Sequence, residues 1–166
     1  IKGLSEAAGQ RVHAAQRLRP FANVADLRQR ACLDRGDMEA LAAADALSGI
    51  SGNRYQSNWQ TMALEDHRPL LPNEGAVQRS QDDAAVTAAP TLPEDVIADY
   101  QSTGLTLRSH PLSLLRHQPP FDRCRRQTEL ETLGNHRCVR VAGLVTCRQR
   151  PGTASGVVFL TLEDET

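Results

Sequence analysis

Of 166 residues, 40% are hydrophobic, 4% aromatic and 23% charged, and 19 basic groups against 20 acidic leave a formal net charge of -1. This length holds roughly one to two domains. No apolar run approaches the roughly 18 residues that span a bilayer, and no charged-then-apolar signal pattern opens the chain, which argues against a membrane protein and a secretory precursor. The near-neutral average hides segregation. Residues 1–54 hold eight basic groups and six acidic; 65–99 hold two and eight; 108–150 hold nine and three; 151–166 hold three acidic groups alone. Every basic residue except Lys2 is arginine. Arginine's planar fork suits phosphate, although a solvated surface or a GC-rich genome gives the same excess. Cys32, Cys124, Cys138 and Cys147 form no C-x-x-C pair and the histidines show no ligand spacing. No structural metal is expected, and the thiols read as reduced and cytosolic.

Residues 1–64 read as helical. Leu4, Ala8, Val12 and Ala15 recur every three or four positions, and Leu18 extends the stripe until Pro20 stops it. Asn23, with Asp26 three positions on, predicts the N-cap of a short helix through Leu27. Asp37 is the expected cap of the next helix, which sets Met38, Leu41, Ala44 and Leu47 on one face, and Gly49 and Gly52 punctuate the chain beyond it. A further helix places Tyr55, Trp59 and Met62 at helical spacing, a pattern that favours core over ligand platform. From about Glu65 to Pro93, four prolines and an acidic bias predict an exposed linker. Thr91 with Glu94 then resembles a capping box, opening a helix through Val96, Ile97 and Tyr100 that Gly104 ends. Leu112, Leu114 and Leu115 form a short element after Pro111, broken at Pro119 and Pro120, and residues 128–133 give one more turn or two of helix. The pattern changes at Cys138. Val139, Val141 and Val145 fall on one face of a strand over 138–147, residues 151–156 read as a turn, and 157–162 as a second strand. Two strands do not bury a face by themselves. The chain is therefore expected to end inside a domain and to open inside a motif.

The opening stretch Ile1-Lys2-Gly3-Leu4-Ser5-Glu6-Ala7-Ala8-Gly9-Gln10-Arg11-Val12 resembles the hairpin and second helix of a helix-hairpin-helix motif. Gly3, Leu4, Gly9 and Val12 fit, and Ser5 replaces the usual second glycine. A tight glycine turn exposes backbone N–H groups at a helix N-terminus, which hold a DNA phosphate without reading bases. An ordinary helical turn with glycine for packing fits the same residues. Leu33-Asp34-Arg35-Gly36-Asp37 is a more degenerate match to a paired second hairpin. The longest match is Val141-Ala142-Gly143-Leu144-Val145 with residues 148–166. It resembles the first two strands of the OB-fold domain in bacterial C-family DNA polymerases, the family of the replicative polymerase III alpha subunit, and within it the error-prone, damage-inducible branch. Residues 1–4, Cys32-Leu33-Asp34-Arg35 running into 41–47, and 99–112 resemble further stretches of that branch. Ser155 stands where many relatives carry a basic residue.

The resemblance implies an α+β chain: a helix-hairpin-helix DNA-binding module over 1–64, an acidic linker over 65–93, a connector of short helices over 94–135, and the first strands of an incomplete OB-fold over 136–166. Its implied partner is DNA. Backbone amides of Gly3, Leu4 and Ser5, aided by Arg11, would hold primer–template duplex, with Arg35 at the second hairpin, while Arg140, Arg148 and Arg150 would line the surface that tracks single-stranded template. Phe159 reads as core before base-stacking platform, and His110 as a cap or packing residue. By the same resemblance the parent is a bacterial cytoplasmic polymerase of DNA repair, translesion synthesis and the SOS response. Its Mg2+-dependent palm site lies upstream, and the sliding clamp and damage-response accessory proteins are its partners. No catalytic or metal site is expected here. Glu163, Asp164 and Glu165 are consecutive, alternate faces on a strand and cannot clamp two ions, so they read as solubilising and turn-forming. Two other readings stay open: a non-catalytic nucleic-acid-binding module or polymerase remnant without a palm, and a protein-interaction piece whose basic block docks an acidic partner.

Overall fold

The computed structural model describes residues 1–64, 88–153 and 156–166. Residues 65–87 of the expected linker and Ser155 lie outside the described residues. The chain divides into two units, residues 1–105 and 106–166.

In the first unit each helix opens on a side chain that satisfies an otherwise orphaned N–H. Ser5 caps α1 (Glu6–Leu18), its hydroxyl accepting from the Ala8 N–H at 3.1 Å. Asn23 caps α2 (Val24–Arg30) through the Asp26 N–H. Asp34 caps α3 (Arg35–Ala43) through the Asp37 N–H. The cap expected at Asp37 therefore sits three residues earlier: Asp34 holds the extended backbone of a cap, while Asp37 is already in the first turn. The exception is a short α4 (Ser48–Ser51), which has no side-chain cap and ends at Gly52, whose φ of +104° suits glycine. Asn53 caps α5 (Arg54–Ala63). The Thr91–Glu94 capping box opens α6 (Leu92–Ser102), and hydrogen bonds from Thr91 hold the Glu94 carboxyl below its ordinary range.

The core of this unit is aliphatic, built on Ala8, Val24, Leu27, Leu33, Met38, Leu41 and Leu47. Two apolar assignments fail. Leu18 is 85% exposed at the end of α1, and on α5 Tyr55, Trp59 and Met62 face outward, Trp59 at 56% and Met62 at 69%. The buried face of α5 is instead polar: Arg54, Ser57 and Thr61. Arg54, 4% exposed, decides that rotation. Its guanidinium donates to the Ala43 carbonyl, to Asp95 at 3.0 Å and to Asp99. The Ser57 hydroxyl meets that of Ser51 beside it. Through these bonds α6 belongs to the first unit, whereas the sequence grouped residues from 94 onward with a connector.

The second unit begins with α7 (Pro111–Leu115), where His110 acts as cap, its Nδ1 accepting from the Leu112 N–H at 3.2 Å. A 3-10 turn at Phe121–Arg123 and α8 (Gln127–Leu130) come next. Then β1 (Leu144–Gln149) pairs antiparallel with β2 (Phe159–Glu163), from Leu144 opposite Glu163 to Gln149 opposite Phe159, with an irregularity between Val145 and Cys147. The first strand starts six residues later than its alternation suggests. The Arg125 N–H takes the Arg140 carbonyl at 2.8 Å, and Val141 makes only an isolated bridge to Arg125. Gly143 is required where β2 approaches, because a Cβ there would lie 2.6 Å from that of Leu162. Phe159 is 57% exposed on the strand pair.

A buried ion cluster secures this unit. Arg116 donates to both Glu165 oxygens at 2.8 Å, Arg126 reaches Glu165 at 2.9 Å, and the Asp164 carboxylate accepts from the Gln127 N–H at 2.8 Å. Far from merely solubilising the chain, Asp164 and Glu165 tie the end of β2 to the helical turns. Hydrogen bonds from Arg116 hold the Glu165 carboxyl below its ordinary range, and those from the Thr166 hydroxyl and N–H do so for Asp164.

Replacing Arg54 by Met removes the buried counter-charge that Asp95 and Asp99 share and should destabilise the first unit by about 3–5 kcal/mol. Arg35→Ala, which breaks the exposed Arg35–Glu39 pair, should cost less than about 1 kcal/mol. Urea unfolding followed by Trp59 fluorescence distinguishes the two. In the second unit, carboxyls with depressed folded pKa values stabilise above their unfolded pKa and cease to do so as pH falls through the folded one. The amide signals of β1 and β2 should therefore hold from neutral pH down to the ordinary glutamate value of 4.5 and collapse below it. Glu165→Gln should weaken the unit at pH 7 and flatten that acid transition.

Candidate nucleic-acid interface

Two turns of one construction precede α1 and α3. Gly3 at φ +83° and Cys32 at φ +49° each occupy the left-handed region. Each is followed by a leucine packed on the core, Leu4 or Leu33, and then by the capping residue, Ser5 or Asp34. The repeat is written in backbone geometry, for Lys2-Gly3-Leu4-Ser5 and Ala31-Cys32-Leu33-Asp34 share a single residue.

Charge separates the two turns. At the first, the cap is a neutral hydroxyl, and the N–H groups of Gly3, Leu4 and Ser5 meet no protein acceptor among the described residues. They stand at the positive pole of a 13-residue helix, which favours an anion. Glu6 in the first turn of α1 is the opposing charge, and its carboxylate accepts from Gln10 at 3.2 Å. At the second, the carboxylates of Asp34 and Asp37 occupy the helix start. The turn is also closed from behind: Arg11 donates to the Ala31 carbonyl at 2.9 Å, to the Cys32 carbonyl at 3.3 Å and to Asp37 at 3.4 Å. Arg11, expected to aid the first hairpin, directs its donors to the second in this structure. It crosses to the neighbouring turn because Asp37, 8% exposed, needs a counter-charge there. Arg35 is exposed beside Glu39 at 2.8 Å.

Most other cations of the first unit are also engaged internally. Arg19 and Arg30 share Asp26 at 3.0 and 3.2 Å, and Arg30 lies 4.7 Å over the Phe21 ring while donating to the Ala15 and Arg19 carbonyls. The Ala22 N–H first, and then these arginines, hold the Asp26 carboxyl below its ordinary range. Arg17, exposed on α1, has no carboxylate within ion-pair reach among the described residues. Sequence reasoning passed over it, although the signal was there: its neighbours three and four positions away, His13, Ala14, Pro20 and Phe21, include no acid.

The arginines of the second unit differ in what they engage. Arg116, Arg125 and Arg126 pair with Glu165 or Glu129. Arg123, Arg137, Arg140, Arg148 and Arg150 are exposed and carry no ion pair among the described residues. Arg148 lies on β1 opposite Leu160, and Arg150 comes just beyond that strand. All three arginines expected on this surface are therefore open to a polyanion.

Comparison with known proteins adds two findings. A helix-hairpin-helix motif model matches residues 1–57, which include both turns. Over its whole length the chain is 49% identical to a protein of Saccharophagus degradans and 46% identical to ones of Teredinibacter turnerae and Burkholderia pseudomallei, each named "Error-prone DNA polymerase". It spans 15–16% of the length of these relatives. No solved structure matches.

Gly3→Ala places a Cβ 3.7 Å from that of Ala40, an ordinary contact, so its cost is backbone strain of about 1–2 kcal/mol. It should lower the melting temperature and weaken duplex binding in fluorescence anisotropy. Cys32→Gly relieves the same strain at the second turn, and should raise stability by up to about 1 kcal/mol without changing duplex affinity.

Proposed function

We propose, from the premise that the chain is a segment of a bacterial error-prone DNA polymerase, that it is the part that grips and guides DNA during repair and translesion synthesis. The observation that carries this reading is the end-to-end similarity to polymerases at 46–49% identity, with both turns inside the helix-hairpin-helix match. The Gly3–Leu4–Ser5 amides take a phosphate of primer–template duplex. The contact is backbone to backbone, so it tolerates any sequence, as a polymerase must. Residues 136–166 are read as the opening strands of an OB-fold, whose exposed Arg140, Arg148 and Arg150 follow single-stranded template by charge, with Phe159 exposed on the same strand pair for base stacking. Nucleotide addition, the Mg2+ it uses, and contacts with a sliding clamp or damage-response proteins are assigned to the parent polymerase, with the palm outside this segment. None of the described helices is long and apolar enough to cross a membrane.

The test is the salt dependence of single-strand binding. Each phosphate neutralised by an arginine contributes about -0.7 to the slope of log K against log salt. Arg140→Ala/Arg148→Ala/Arg150→Ala should therefore flatten the slope by about 2 while leaving duplex binding nearly unchanged. An unchanged slope would put these arginines on an inert face.

A further inference from the structure

We infer that α6, which comes after the acidic stretch in sequence, is the positioning element of the first DNA-gripping turn, acting through Lys2; this inference rests on the duplex-binding reading of that turn. The accounting of α6's last carbonyls carries it. A helix leaves its final four carbonyls without intrahelical partners. Here the Asp99 carbonyl takes the Thr103 and Gly104 N–H groups at 2.8 and 3.3 Å, with Gly104 in the left-handed region at φ +86°. The other three go to one residue at the far end of the chain. The Lys2 ammonium donates to the Tyr100 carbonyl at 3.3 Å and to that of Gln101 at 2.8 Å, and the Lys2 backbone N–H donates to that of Ser102 at 2.8 Å. The chain's single lysine is thus a cationic cap on the negative pole of α6.

Lys2 immediately precedes Gly3. Two of its bonds fix a side chain and the third fixes the backbone itself, so the orientation of the Gly3, Leu4 and Ser5 amides is referred to α6. The Ser5 cap and the Leu4 contact hold the other side of the turn. In its turn α6 is held by Arg54, whose bonds to Asp95 and Asp99 fix two successive turns on one helix face. The sequence Arg54, α6, Lys2, Gly3 is a chain of direct contacts from a buried cation to the amides. Asp95 and Asp99 are positioning residues in this scheme, acting through α6 without touching DNA.

The experiment separates positioning from simple charge. Lys2→Met removes a positive charge and should weaken duplex binding on either account. Asp95→Asn/Asp99→Asn removes two negative charges, which by charge alone raises affinity for DNA. If α6 positions the turn, this double variant should instead weaken duplex binding by about tenfold, the worth of one charged hydrogen bond. In both variants, 15N order parameters of Gly3, Leu4 and Ser5 should fall from the rigid range near ~0.85 toward ~0.6. Lys2→Arg, which keeps the cation and the N–H, should restore both readouts. Unchanged or higher duplex affinity in the double variant, with an unchanged order parameter, overturns the inference. Should the double variant unfold, Lys2→Met, at an exposed position, decides by the order parameter alone. Failure of the unaltered chain to bind duplex would defeat the DNA reading of the turn. The order parameters, recorded without DNA, still show whether α6 holds it.

Discussion

Arg54 is the constraint from which the first unit is arranged. Burying a guanidinium that is 4% exposed is costly unless acceptors surround it. The Ala43 carbonyl ties it to the end of α3, and Asp95 and Asp99, four residues apart, present two carboxylates from one face of α6. Once that cation is inside, α5 has no freedom of rotation. Ser57 and Thr61 follow Arg54 inward, and Tyr55, Trp59 and Met62 are carried outward whatever their hydrophobicity. A helix that ordinary amphipathic logic would have turned over is pinned by one charge.

The distribution of cations matters more than their number. Eight basic residues against six acids in residues 1–54 suggest a surface prepared for DNA. Yet Arg11, Arg19, Arg30 and Arg54 spend their donors on carbonyls and carboxylates that hold helices together, and Lys2 spends its own on the end of α6. What this unit offers an anion is chiefly neutral: oriented N–H groups at a helix start. The second unit makes the opposite offer, with five exposed arginines that carry no ion pair among the described residues. Neutral amides fix direction and register, whereas arginines displace counterions and give range. Each unit supplies the kind of contact the other lacks.

The local signals in the sequence were dependable where one residue or a short spacing determines the outcome. Asn23, the Thr91–Glu94 box, Gly104 and His110 all do as their types imply, and the α1 stripe buries Ala8 and Ala15. The errors share another origin. Asp37 and Asp34 are both good caps, and choosing between them requires knowing which has extended backbone. The aromatic face of α5 was assigned to the core because the acids that turn it outward lie some forty residues further on. The second hairpin looked degenerate because Cys32 does a glycine's work at φ +49°. The α5 miss is a long-range contact overruling a local preference, and no spacing rule within a helix encodes it.

The strand pair shows the same principle from the other side. Val139, Val141 and Val145 alternate as a strand face should, and the alternation is real, but a ladder forms only where a partner runs. From Leu144 onward β2 is that partner; before it, the Arg125 N–H claims the Arg140 carbonyl and Val141 is left with one bridge. Glu165 and Asp164 then close the unit by charge, since two strands bury little apolar area between them. Leu144, Val145, Phe159 and Leu162 are all at least 40% exposed, as the geometry of an uncovered hairpin requires. The ion cluster around Arg116 consequently does for this unit what Arg54 does for the other: in both, a buried guanidinium joins elements that apolar packing alone leaves loosely held, and the exposed arginines at 137, 140, 148 and 150 are among those that neither cluster needs.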